Sequence, residues 1–373
     1  MDLMKTPRSL DICITGHCNL RCAYCSHFGS AGEVPADLAA GEWLEFFQEV
    51  GQAQVLEVCL SGGEPFIRED LRQLIDGIVQ NRMRFSLLTN GTLITEEISA
   101  YLASTGRCNG LQVSLDGSMP ETHDACRREG NFYRAVDGIR QLQEQQLPVT
   151  VRVTIHKHNV LDLANVAKLL LEDLGLPGFS TNAASYMGLC QQNAEQIMLS
   201  AQDRTCAMET LLSLAEKYPG RISATAGPLA EARQWLEMEQ ARREGREFLP
   251  GKGYLTGCAG PLSKLAVRAD GVMVPCTQLS HLELGRINQD DLVEVWQQHP
   301  SLVRLRQRHT IPLREFDFCR GCDYLNYCSG NCPALAYTLY GTENHPSPDA
   351  CLKIFLEAGG RLPQASRLAG IGG

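Results

Sequence analysis

Over its first half the chain shows six short strand-like runs, Leu10 to Thr15, Leu56 to Leu60, Phe85 to Leu88, Leu111 to Leu115, Val149 to Ile155 and Phe179 to Ala183, and in the first, second, fourth and fifth apolar and polar residues alternate with a period of two. These runs predict six strands. Amphipathic stretches near residues 38–50, 69–81, 95–104, 131–145 and 160–174 fall between them and predict helices. Strand and helix in strict alternation imply parallel strands joined by crossover helices.

The same alternation assigns the faces. Leu10, Ile12 and Ile14 oppose Asp11, Cys13 and Thr15; Leu56, Val58 and Leu60 oppose Glu57, Cys59 and Ser61; Leu111, Val113 and Leu115 oppose Gln112, Ser114 and Asp116; Val149, Val151, Val153 and Ile155 oppose Thr150, Arg152, Thr154 and His156. A parallel sheet covered by helices on both sides would bury those polar faces without partners. A sheet curled around a polar lumen tolerates them, and its chemistry is then expected at the C-terminal ends of the strands.

Composition narrows the class. With 373 residues, 44% hydrophobic and 21% charged, the chain is long enough for one large domain and a smaller one. A net charge of -9 leaves no basic surplus for a nucleic-acid partner. No signal sequence or membrane-length apolar run is present, so a cytoplasmic protein without a membrane partner is expected. In a reducing compartment the 16 cysteines point to metal rather than disulfides.

The chemistry-bearing motifs cluster after the strands. Cys18, Cys22 and Cys25 form a CX3CX2C loop after the first. Three thiolates can hold three irons of a four-iron cubane and leave the fourth open, whereas an electron-carrying cluster normally has four. A zinc knuckle is the bland alternative. Ser61-Gly62-Gly63-Glu64-Pro65 ends the second strand, Thr89-Asn90-Gly91-Thr92 the third and Ser114-Leu115-Asp116-Gly117 the fourth. With an aromatic residue, Tyr24, just before the third cysteine, this set resembles the radical S-adenosylmethionine (radical SAM) enzymes.

The resemblance implies an α/β fold, a partial (β/α)6 TIM-type barrel, and implies roles. Cys18, Cys22 and Cys25 would hold the catalytic 4Fe-4S cluster; Gly62, Gly63 and Glu64 would meet the methionine amino group of SAM, the Tyr24 backbone its adenine and Ser114 its ribose, with Asn90 in the same motif set. Arg127, in His123-Asp124-Ala125-Cys126-Arg127, would face the SAM carboxylate, with Arg152 in the lumen as its competitor.

Further along, residues 201–254 read as bridging helices, and the charged run Arg233 to Glu247 as a solvated face. Then Cys258-X12-Gly271-X4-Cys276 leads to Cys319-X2-Cys322-X5-Cys328-X3-Cys332 and finally Cys351. A four-thiolate zinc site can use similar spacings. Seven cysteines in this order resemble a SPASM domain, which implies two auxiliary iron-sulfur clusters. By that resemblance Cys319, Cys322, Cys328 and Cys351 ligate one fully, and Cys258, Cys276 and Cys332 the other. The eighth cysteine of some relatives is absent from Ala259 to Lys264, so the fourth ligand of that cluster is open. The expected domains are 1–200 (partial barrel), 201–254 (bridging helices), 255–360 (SPASM) and 361–373 (tail).

Of the remaining cysteines, Cys13 and Cys59 read as buried fillers, while Cys126 and Cys190 near strand ends are candidate hydrogen donors. His17, His156 and His158 are expected to shape the pocket. The resemblance implies three iron-sulfur clusters, S-adenosyl-L-methionine, an external electron donor of flavodoxin or ferredoxin type, and a ribosomally made peptide or protein substrate crosslinked through a carbon-carbon or thioether bond. Epimerisation, oxidation, sulfatase maturation and small-molecule modification are its alternatives, and a non-catalytic iron-sulfur or zinc scaffold is the rival from another class. Thr277 stands where sulfatase-maturating enzymes place an acid, which tells against that branch. Only eight residues precede the first strand, so leader recognition is expected from a separate leader-binding protein, the bridging helices or the barrel mouth.

Overall fold

In the computed structural model the described residues are 3–364 except 31, 32 and 35. Residues 365–373 of the expected tail lie outside them. The chain divides into two compact units: residues 1–115, 127–150 and 259–306 form the first, and 116–126, 151–258 and 307–373 the second.

The first unit is built on β1 (Ser9–Thr15), β2 (Glu57–Gly62), β3 (Arg84–Thr89) and β4 (Cys108–Ser114). These pair in chain order and in parallel, Leu10 against Val58 and Val58 against Phe85. Helices Ala40–Gln52, Leu71–Gln80 and Glu96–Ser104 provide the crossovers, and Trp43, Phe46 and Phe47 bury their rings completely. Ile12, Val58, Leu60, Leu87, Leu111 and Val113 are fully buried, as their alternation requires. Leu56 departs from it: it precedes β2 and is 69% exposed, because the strand starts at Glu57.

The second unit holds β6 (Phe179–Ala183), β7 (Ile222–Ala224) and, from Val151 onward, β5 (Val149–Ile155). They too pair in parallel and in order. The stretch read as bridging helices therefore contains a strand as well as helices Ala201–Lys217 and Pro228–Arg243. The charged helix is not simply solvated. Leu229, Ala232, Trp235 and Leu236 bury one side, Met238 and Ala241 are buried beyond it, and Glu239, itself buried, accepts from Arg242, Arg243 and Tyr324. Its charged composition hid an apolar seam at i, i+3, i+4 and i+7 spacing.

Three strands were not legible in the cysteine-rich half. β8 (Lys264–Val267) adds to β1 in parallel, β9 (Val272–Val274) pairs antiparallel with β8, and β10 (Gly285–Arg286) antiparallel with β9, so the first unit's sheet continues past β1. Each is only two to four residues long, too short for periodicity to register.

In the second unit the Trp235 and Phe355 rings lie 4.8 Å apart, with Trp235 only 1% exposed. Trp235→Ala should cost about 3–5 kcal/mol from lost burial and the cavity left behind. A clear fall in the apoprotein's urea midpoint is expected, and an unchanged midpoint would show that this contact does not support the unit.

Candidate functional site: a three-thiol loop at the strand ends

The end of β1 is held by backbone contacts that leave no room for side chains. Gly63 N–H donates to the Thr15 carbonyl at 2.8 Å and Glu64 N–H to the His17 carbonyl at 2.8 Å. A Cβ on Gly62, at φ +152°, would lie 2.3 Å from the Thr15 oxygen, and one on Gly63 2.1 Å from the His17 oxygen. Glycine is required at both because the turn after β2 presses on the loop after β1.

Three residues that the motifs did not reveal complete the scaffold. The Asp37 carboxylate accepts from Thr15 Oγ1 at 2.5 Å and Gly16 N at 2.7 Å. Arg68 pairs with Asp70 at 2.7 Å and donates to the Ile14 carbonyl at 2.6 Å. Asn19 donates to Thr92 Oγ1 at 2.9 Å and accepts from Asn90 Nδ2 at 2.9 Å. Asp37 and Arg68 stand 21 and 54 residues from their partners, so no local pattern could have found them.

The thiols themselves are half-buried and face hydrogen-bond donors. Leu20 N–H points at Cys18 Sγ at 3.3 Å, Asn90 Nδ2 at the same sulfur at 3.9 Å, and Arg127 Nη1 at Cys22 Sγ at 3.9 Å. Burial pushes the Cys18 thiol up to about 11, and the nearby acids and thiols add to it. Thiolates in such a setting need a cation among them, and donors aimed at sulfur suit an anionic iron-sulfur cluster. Among the described residues no three His, Cys, Asp or Glu close around one point as a single metal ion would require.

Glu64 is fully buried, and both carboxylate oxygens are used: Oε1 accepts from Thr89 Oγ1 at 2.7 Å and Phe66 N at 3.3 Å, Oε2 from Asn90 N at 2.7 Å. Burial raises its pKa to about 7, with these hydrogen bonds and Arg127 opposing the rise. Asn90 also braces its own turn, its Oδ1 accepting from Thr92 N and Oγ1.

Of the two candidate arginines, Arg127 stands at the cysteine loop, 6% exposed, with its guanidinium 5.4 Å from the Tyr24 ring centre. Arg152 belongs to the second unit, where burial lowers its pKa. Ser114 is half-buried at the end of β4.

In the second unit a polar network surrounds buried Asp116, whose carboxylate accepts from Thr154 N at 2.8 Å and whose own N–H donates to His123 Nδ1 at 3.1 Å. Asn159 bonds the Asp116 and Thr154 carbonyls. His156 and His158 have rings 5.9 Å apart, and Cys126 Sγ lies 3.7 Å from His156 Nδ1. His17 contributes backbone to the β1 loop instead. Cys190 is fully buried, its thiol 3.6 Å from the Met198 sulfur. Cys13 is buried and its thiol is pushed up to about 12, and that of half-buried Cys59 to about 11, both chiefly by removal from water.

A second thiol set is also assembled within that unit. Cys319, Cys322, Cys328 and Cys351 line one small pocket together with Leu313, Phe318 and Leu325. Burial and then the neighbouring thiols push Cys319 up to about 12, and burial also raises Cys328 and Cys351. Cys258 and Cys332 lie in the second unit as well, while Cys276 ends β9 and its turn in the first.

A cysteine trio clipped to the ends of parallel strands, with further thiols gathered in a cysteine-rich region, defines an iron-sulfur enzyme. Family comparison agrees: residues 12–170 match the model of the Radical SAM superfamily, and residues 258–323 that of an iron-sulfur cluster-binding domain, SPASM. The chain is a radical SAM enzyme with a C-terminal SPASM domain, a class whose cofactors are iron-sulfur clusters and SAM. An AdoMet-dependent heme synthase of Methanosarcina barkeri is 29% identical over 345 residues, covering 91% of this chain and 95% of that protein. A PqqA peptide cyclase of Ruegeria pomeroyi is 26% identical, covering 88% and 83%. Streptococcus suis SuiB bound to its precursor peptide SuiA shares the fold, with a TM-score of 0.69 at 17% identity over 94% of this chain and 77% of that one. Among the described residues no helix is long and apolar enough to cross a membrane.

The raised Glu64 pKa has a testable sign. Between its ordinary 4.5 and about 7 the unfolded chain ionises Glu64 while the folded apoprotein keeps the proton. The stability it contributes is therefore present below 4.5 and falls as pH rises through 7, by about 3 kcal/mol at most. The stability difference between wild type and Glu64→Gln should shrink over that window in urea titrations. A difference independent of pH would contradict the assignment.

Proposed function

We propose that Cys18, Cys22 and Cys25 hold the catalytic cluster, and that the enzyme acts on a ribosomally made peptide, joining it through a carbon-carbon or thioether bond. The observation that carries this reading is the trio itself, three thiols fixed by the Gly62-Gly63-Glu64 turn with Arg127, Asn90 and a backbone N–H directed at their sulfurs. When bound, the cluster and SAM supply a 5'-deoxyadenosyl radical able to take hydrogen from an unactivated C–H bond.

The chain's residues do the positioning. Arg127, stacked on Tyr24, offers a fixed positive charge to the SAM carboxylate. Gly62, Gly63 and Glu64 meet the amino group, the Tyr24 backbone the adenine and Ser114 the ribose, with Asn90 tying this turn to the loop. Arg152 is the alternative candidate for the SAM carboxylate. Placing one C–H bond against the reactive carbon is the catalytic task, rather than acid-base work. Cys319, Cys322, Cys328 and Cys351 would hold one auxiliary cluster and Cys258, Cys276 and Cys332 another, making three, and such clusters would supply electron-transfer capacity beside the site.

The peptide reading is supported by likeness to the peptide cyclase and by a fold shared with SuiB, which has been seen with its precursor peptide. A second reading, modification of a tetrapyrrole, is favoured by the 29% identity to the heme synthase. Incubating the reduced enzyme and SAM with the peptide encoded beside its gene, and separately with iron-coproporphyrin, decides between them by which one changes mass. The electron donor is of flavodoxin or ferredoxin type, and a separate leader-binding protein is one source of peptide recognition.

The reconstituted protein should carry roughly twelve irons and twelve sulfides per chain. Replacing Cys18, Cys22 and Cys25 by Ala should remove about a third of that iron and abolish 5'-deoxyadenosine formation. Stoichiometric zinc, or persistent deoxyadenosine in the triple variant, would overturn the reading.

A further inference from the structure

Arg308 starts a tight turn, Arg308–Thr310, in the second unit and is 3% exposed. Its Nε and Nη2 are shut off from solvent, and neither has a hydrogen-bond partner among the described residues. A guanidinium in that state is costly unless an anion accepts from it. The acidic groups that act on it are the thiols of Cys258 and Cys332 and the carboxyl of buried Glu343, while burial lowers its pKa.

The backbone brings the two thiols to Arg308. A Cβ on Gly257 would lie 2.2 Å from the Asn331 carbonyl oxygen, so only glycine lets these segments touch, and the next residue along each is Cys258 and Cys332. The two thiols influence one another, and backbone N–H groups of Ala334 and Leu335 donate to Cys332 at the start of helix Pro333–Tyr340. Two cysteines, donors at one sulfur and an unsatisfied buried cation form an anion site still short of its acceptors.

We propose that Arg308 is the positioning residue of the auxiliary cluster held by Cys258 and Cys332, its Nε–H and Nη2–H donating to that cluster's sulfur atoms. It thereby fixes the orientation of a cluster with fewer than four cysteine ligands and raises its reduction potential, since a cation with two N–H···S bonds stabilises the more negative reduced state. Arginine suits this where lysine does not, because its planar fork presents two donors in fixed geometry. The inference rests on the reading that these cysteines hold a cluster.

Reductive titration of the full reconstituted chain, followed by EPR, tests it. Cys258→Ala with Cys332→Ala should erase one auxiliary signal and identify it. Arg308→Met should move the midpoint of that same signal to lower potential, so that the ratio of reduced to oxidised cluster at the wild-type midpoint falls about tenfold. Arg308→Lys should recover part of the shift, and the signal of the Cys319 group should stay in place. An unmoved midpoint in Arg308→Met overturns the inference. Survival of every signal in the double cysteine variant overturns the underlying cluster reading instead. If Arg308→Met fails to retain its iron, Arg308→Lys decides: a midpoint below wild type supports the inference, and an identical one overturns it.

Discussion

The two short backbone hydrogen bonds from Gly63 and Glu64 to Thr15 and His17 set the geometry of the candidate site. They join the C-terminal ends of two neighbouring parallel strands, and they form only because Gly62 and Gly63 have no Cβ to hold the segments apart. A loop carrying three thiols and no regular structure would otherwise sample many arrangements, and ordering it costs about 1–2 kcal/mol per residue. Here the close backbone contacts at Gly62 and Gly63 offset part of that cost. Asp37 and Arg68 add side-chain ties at Thr15, Gly16 and Ile14, and Glu64, held by Thr89 and Asn90, ties the third strand's turn to the same point.

Such preorganisation matters for radical chemistry. A reactive radical is not selective by acidity or charge, so selectivity has to come from where atoms are held. The structure devotes its polar residues to holding loops. Glu64 is enclosed and accepts from Thr89 and Asn90, Asn90 spans two turns, and Arg127 lies against both Tyr24 and Cys22. The cysteine-rich region repeats the theme: two of its thiols, Cys332 and Cys351, stand at the first turns of helices and take backbone N–H donors there, where the helix favours negative charge.

Much of this could be read from the chain. The strand at Val149–Ile155 falls where periodicity puts it, because β-branched and alternating residues leave little ambiguity, and that at Phe179–Ala183 where its place between two helical stretches puts it. The motifs after the first four strands were visible because their residue types are unusual at those spacings. What escaped was of two kinds. Strands of two to four residues, such as Val272–Val274, carry too little pattern to detect, and the apolar seam of Pro228–Arg243 was masked by the charges beside it. Asp37, Arg68 and Arg308 escaped because their partners are distant in sequence, and a single charged residue in a loop looks the same whether it faces water or a buried sulfur.

The central claim is that the loop of Cys18, Cys22 and Cys25 holds a cluster with one iron left for SAM. The direct measurement is pulsed EPR on reduced protein in which the seven downstream cysteines are replaced by Ala, with and without SAM labelled with 15N at its methionine amino group. The account predicts a single cluster signal that shifts on adding SAM and acquires a 15N coupling. A signal identical with and without SAM, showing no nitrogen coupling, would contradict it.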